Sequence, residues 1–177
     1  PPTVSIEMTG HLVGRVSAKD LILRIIGDMG ADGANYMAVE FHGPAIGSLR
    51  MSDRMTMANM GIEMGAKLAV FPVDRVTQEY LRSRGPDGSR TMWSDVDAEF
   101  CKVREYDLEE LEPVVALPHN VDNVAPISEV GKIEVDQVFL GTCTNGRMED
   151  LEVALDVMGE APVHGNVRMI VGPASRE

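Results

Sequence analysis

The sequence predicts an α/β fold built on a parallel sheet, with a second α/β unit beginning in its last third. Three observations carry this. Short apolar runs of strand length alternate with helix-period segments from Val4 to Val171. From Val135 onward a strand, a helix and a strand follow in the order of a βαβ unit. Hydrophobic residues make 44% of the 177 and charged residues 25%, which is enough apolar material for a core of that class.

Val4 to Met8 alternates apolar and polar, the pattern of a half-buried strand. Ser17 reads as a helix N-cap, and behind it Leu21, Ile22, Ile25, Ile26 and Met29 share one helical face. Gly30 and Gly33 close that helix. Tyr36 to Phe41 is the second strand. After Gly43-Pro44, Ser52 is expected to cap a helix running to about Met64. Lys67 to Phe71 is a short strand ending at Pro72, and Asp74 to Arg84 is helical by pattern. Gly85 to Asp97 is a polar, Gly- and Pro-bearing loop.

Phe100 to Tyr106 and Pro113 to Leu117 are strands, and Ala98 to Lys102 already reads as extended chain with Cys101 as a packed core thiol. His119 to Glu134 is poorly patterned, with one short strand, so the domain boundary is expected there: residues 1–118, then a partial domain over 119–177. In that partial domain Val135 to Leu140 is a strand, Arg147 to Met158 a helix and Val167 to Val171 a final strand.

Composition excludes several functions. A formal net charge of −12, with no basic stripe, argues against nucleic-acid binding. No apolar run reaches the length of a membrane span, and no signal peptide opens the chain. Two cysteines, Cys101 and Cys143, make no disulfide scaffold, and a reducing cytoplasmic setting fits them. No GxGxxG or Walker-type loop marks a nucleotide site. The chain opens Pro1-Pro2-Thr3 and stops at Glu177 directly after a strand-like run; both ends are expected to be cuts inside a longer protein.

Two segments carry chemistry. In Val138-Phe-Leu-Gly-Thr-Cys-Thr-Asn-Gly-Arg-Met-Glu-Asp-Leu151, Cys143 sits in a turn between a strand and a helix, with Thr144 or Asn145 as the expected cap. Carboxyl ends of strands are where α/β sheets bind ligands, and a helix N-terminus stabilises a thiolate. On general grounds a lone cysteine there is a packed structural thiol, and a nucleophile needs a histidine partner that the local sequence lacks. In Met55-Thr-Met-Ala-Asn-Met-Gly-Ile-Glu-Met-Gly-Ala66, Asn59 and Glu63 lie four apart, so a helix turns both to one side. Such a pair can hold a hydroxyl or a water; as spacing alone, it is an ordinary polar pair on a solvated face.

Several ordered motifs weigh against those plainer readings. Gly141-Thr-Cys-Thr-Asn145 followed by Glu149-Asp150-Leu151 resembles the first cluster-cysteine motif of the aconitase superfamily, with Thr142 in place of the common Ser. Ala58-Asn-Met-Gly-Ile-Glu-Met-Gly-Ala66 resembles that superfamily's Asn/Glu segment. Met8-Thr-Gly-His-Leu12, Ser17-Ala-Lys-Asp20, Val39-Glu-Phe-His-Gly43, Ser52-Asp-Arg-Met55 and Phe71-Pro-Val-Asp74 match in the same order. Leu117-Pro-His-Asn-Val-Asp-Asn-Val-Ala-Pro126 and Gly146-Arg-Met-Glu-Asp150 look most like the 3-isopropylmalate dehydratase and homoaconitase large subunits.

The resemblance implies an aconitase-like three-layer α/β/α domain and the beginning of a second α/β domain. It implies a [4Fe–4S]-dependent hydro-lyase that moves a hydroxyl between adjacent carbons of a small hydroxy-di- or tricarboxylate, in partnership with a small subunit. Cys143 would be one of three cluster ligands, the other two lying outside this sequence; Glu63 and Asn59 would act on the reacting hydroxyl. The resemblance gives His119 no catalytic role, and Glu40 and Asp53 read as surface or cap residues. These 177 residues alone are expected to be inactive and to hold no intact cluster. A domain with no chemistry of its own, used for folding or binding, is the alternative of another class.

Overall fold

A computed structural model of the chain describes residues 2–85, 93–142 and 144–175. These divide into two compact units, residues up to Val130 and residues from Gly131.

In the first unit β1 (Thr3–Thr9), β2 (Ala38–His42), β3 (Leu68–Val70) and β4 (Lys102–Asp107) form one sheet in the order β3-β2-β1-β4, every pairing parallel. The helices are α1 (Ala18–Met29), α2 (Met51–Met60) and α3 (Arg75–Arg82), and a 3₁₀ turn at Pro44–Ser48 leads into α2. The register sets Val4 beside Val39 and Ile6 beside Phe41. These residues, with Met8, form one buried cluster with Leu21, Ile22, Ile25 and Ile26 of α1 and Met57 and Met60 of α2. Alternation sends Ser5, Glu7, Glu40 and His42 to the other face of the sheet. The return from α3 to β4 touches that face: Ser94 hydrogen-bonds Glu40, and Phe100 meets the His42 ring edge-on at 5.3 Å.

The start of α1 follows expectation. The Ser17 and Asp20 side chains each accept from the other's backbone N–H, at 3.4 and 2.8 Å, the reciprocal capping box. The other oxygen of Asp20 accepts from Val114 N at 2.9 Å. That bond ties α1 to a hairpin of β5 (Val114–Ala116) and β6 (Val124–Pro126), and Asp122 binds Ala31 N at 2.9 Å just beyond α1. The hairpin therefore runs across the division expected at 118/119, and the compact units part at 130/131 instead.

Other details also differ. Helix α2 starts at Met51, because Asp53 accepts from Arg50 N at 2.9 Å and so outcompetes a Ser52 cap. Tyr36, with φ of 62°, holds the second strand back to Ala38. Cys101 lies exposed, one residue ahead of the edge strand β4, although its N–H donates to Thr3 O of β1 at 2.9 Å.

The second unit is β7 (Gln137–Gly141), α4 (Met148–Met158) and β8 (Arg168–Gly172), with β7 and β8 parallel, the βαβ unit that the pattern predicts. No helix among the described residues is long and apolar enough to cross a membrane.

Gly43 ends β2 at φ of 96°, and a Cβ there would lie 2.2 Å from the Met8 carbonyl oxygen of the neighbouring strand. Gly43→Ala is expected to cost about 2 kcal/mol or more, from left-handed strain and overpacking together. Urea unfolding should show a lower midpoint at an unchanged slope.

Candidate active site

The helix expected to run to Met64 is two pieces. Helix α2 ends at Met60, and a 3₁₀ turn spans Gly61–Met64. At their junction a Cβ on Gly61 would sit 2.4 Å from the Cβ of Ala69 on β3, so only glycine lets the segment approach the sheet so closely. The chain turns away at Gly65, where φ is 81°. Asn59 and Glu63 flank Gly61, and both side chains are exposed while Met57, Met60 and Met64 are buried. The two candidate residues therefore sit on the outward side of a segment pressed onto the sheet.

That segment is held by a residue the sequence reading passed over. The side chain of Arg54, in the second turn of α2, is 1% exposed. Its guanidinium has five N–H donors, and five acceptors meet them. Nε donates to Leu49 O at 3.2 Å and one terminal nitrogen to Ile46 O at 2.8 Å. The two terminal nitrogens reach the two Asp74 oxygens at 2.6 and 2.7 Å, and one also reaches Thr77 Oγ1 at 3.1 Å. Asp74 is also the N-cap of α3, accepting from Thr77 N at 3.1 Å. The guanidinium lies 5.9 Å from the ring of Phe71, which stacks on Phe41 at 4.3 Å. One side chain thus joins the turn after β2, helix α2, the start of α3 and the aromatic pair in the core.

A sequence signal for this did exist. Arg54, Met57, Gly61 and Met64 share the inward stripe of the segment, and a charge in an apolar stripe needs a buried acceptor. Asp74, in the helix-start position after Pro72, is that acceptor.

In the second unit Cys143 itself lies outside the described residues. Its flanks are tightly set. Thr142 has φ of 77°, a conformation costly for a β-branched residue. A Cβ on Gly141 would meet Gly172 O at 2.3 Å, and one on Gly146 would meet Thr142 O at 2.9 Å. Ala174 N donates to Gly146 O at 2.7 Å. Neither Thr144 nor Asn145 caps α4 directly. Arg147 is the N-cap residue, Asp150 accepts from its backbone N–H at 3.0 Å, and the Asn145 amide donates to the same carboxylate at 3.0 Å. A strained, glycine-tight turn at the end of a parallel strand suits a held ligand, so the residues described around Cys143 fit a cluster-binding turn.

With this geometry in hand, the class is plain: the aconitase family model (aconitate hydratase) matches residues 1–132, and the chain belongs to that family. Among its relatives, a probable 3-isopropylmalate dehydratase large subunit of Methanosarcina mazei is 49% identical over 99% of this chain. A probable methanogen homoaconitase large subunit of Methanothermobacter thermautotrophicus is 48% identical over 100% of it. A 3-isopropylmalate dehydratase large subunit of Thermotoga maritima is 47% identical over 100% of it. The chain spans 42%, 41% and 43% of these relatives' lengths, about two fifths in each case.

The Arg54 hydrogen bonds hold the Asp74 carboxyl below its ordinary value of 3.8, against the opposing pull of burial. Folding therefore favours the ionised form. That contribution is complete above 3.8 and is lost as pH falls through the lower folded value. Asp74→Asn is expected to cost about 3 kcal/mol near neutral pH, because it leaves Arg54 buried without its counter-charge. In denaturant unfolding followed across pH, the gap between wild type and variant should close on the acid side.

Proposed function

We propose that this chain is part of a hydro-lyase large subunit and that the complete enzyme interconverts 2-isopropylmalate and 3-isopropylmalate, a step of leucine biosynthesis. One observation supports the reading above the others. The chain is close to half identical, along its whole length, to relatives bearing that name, and Asn59 and Glu63 stand exposed on a segment pinned to the sheet.

The chemistry balances without net oxidation. A hydroxyl leaves one carbon and a proton its neighbour, a carbon–carbon double bond forms, and water adds back with the two positions exchanged. A bound [4Fe–4S] cluster supplies a Lewis acid for the departing hydroxyl. Cys143 would hold one of its irons, with two further cysteines from outside these 177 residues. Glu63 would hydrogen-bond the reacting hydroxyl or water, and the Asn59 amide would help orient that oxygen. The small subunit, which the relatives' large-subunit names imply, brings the base for the carbon-bound proton and further carboxylate contacts. Homoaconitate is the second substrate reading, favoured by the relative so named at 48% identity.

The test is turnover of the complete large subunit with its small subunit on both substrates. Glu63→Gln should lower kcat by roughly 10²- to 10⁴-fold with cluster absorption retained. Cys143→Ser should lose the intact cluster. The 177 residues alone should show neither turnover nor cluster absorption. Wild-type turnover untouched by Glu63→Gln would remove Glu63 from the mechanism. A complete assembly inactive on both substrates would return the chain to a non-catalytic binding role.

A further inference from the structure

The segment that presents Asn59 and Glu63 is short, and little apolar shape fixes it. Of the ten residues of α2, the buried ones are Arg54, Thr56, Met57 and Met60. Methionine packs adaptably and specifies position weakly. Directional bonds must then set the rotation and depth of the helix, and Arg54 supplies five of them. Asn59 follows Arg54 by five residues, about 140° round a helix, so fixing Arg54 inward fixes Asn59 outward. At the other end Gly61 sits against Ala69.

Resting on the hydro-lyase reading, we propose that Arg54 and Asp74 are positioning residues of the dehydration site, acting through α2 on Asn59 and Glu63. Neither touches the reacting atoms in this account. Arginine is required because its planar fork matches both Asp74 oxygens while three donors remain for Leu49 O, Ile46 O and Thr77 Oγ1. A lysine at 54 keeps the charge, offers three donors and leaves at least two acceptors unmet. The helix can then slide or roll on its methionines by a fraction of an ångström with the fold intact.

The experiment is a double-variant cycle in the complete large subunit with its small subunit, with Arg54→Lys, Glu63→Gln and the pair. Arg54→Lys is expected to lower kcat by roughly ten- to a hundredfold at retained cluster content, with KM changed far less. Because Arg54 acts through Glu63 and Asn59, the loss in the pair should fall well short of the product of the two single losses. A purely structural role would instead lower stability, leave kcat per folded, cluster-loaded enzyme unchanged, and add independently to Glu63→Gln; that result overturns the proposal. If Arg54→Lys does not fold, Asp74→Glu, which keeps the charge and shifts the carboxylate by one methylene, decides by the same readout. Turnover lowered by Glu63→Gln but untouched by either clamp variant sinks this proposal alone. Absence of wild-type turnover sinks the hydro-lyase reading and the proposal with it.

Discussion

The buried guanidinium of Arg54 is the interaction on which the first unit depends. A cation taken out of water is costly unless its charge is paired and every N–H is met. Here both conditions hold, and the partners come from two stretches of chain remote from each other, Ile46 and Leu49 in the turn after β2 and Asp74 and Thr77 at the start of α3. Meeting the needs of one side chain therefore brings together the turn after β2, helix α2 and the start of α3. A pair of this kind contributes less to net stability than to uniqueness. This arrangement of those segments satisfies all five donors.

The same economy appears in both candidate segments. Each contains backbone brought unusually close by glycine: Gly61 against Ala69 in the first unit, Gly141 and Gly146 against the end of β8 in the second. Each is also fixed by a carboxylate that accepts from backbone at a helix start, Asp74 at α3 and Asp150 at α4. Both candidate segments are thus stretches whose own backbone freedom is reduced. The left-handed Thr142 belongs to this picture, since strain persists only where the surroundings over-determine the backbone.

Much of the fold was legible in the sequence. Alternation and helical periodicity located β1 to β4 and α1 to α3; burial of one face accounts for α1, whereas α3 buries no residue and was located by its pattern alone. Ser17, read as an N-cap, marked the start of α1 correctly. The misreadings have local causes. Ser52 looked like a cap until Asp53 reached back to Arg50. Gly61 looked compatible with a continuing helix because its reason for being glycine, Ala69, is remote in sequence. Cys101 looked buried because Ala98 to Lys102 read as extended core chain, but it lies just ahead of an edge strand and is exposed. The hairpin of β5 and β6 was underestimated because its anchors, Asp20 and Asp122, act across more than ninety residues. Asn59, Glu63 and Cys143 stood out through family resemblance rather than spacing, and Arg54 was missed because a charged helix residue reads as surface until its acceptor is seen.

The central claim is that the clamped α2 segment presents Glu63 and Asn59 to the substrate. A crystal structure of the complete assembly with a non-reactive substrate analogue tests it most directly. The account predicts the Glu63 carboxylate within hydrogen-bond reach of the analogue's hydroxyl, about 2.6–3.2 Å, with Arg54 still bidentate on Asp74. An analogue bound elsewhere, with Glu63 and Asn59 facing solvent or covered by another part of the protein, would contradict it.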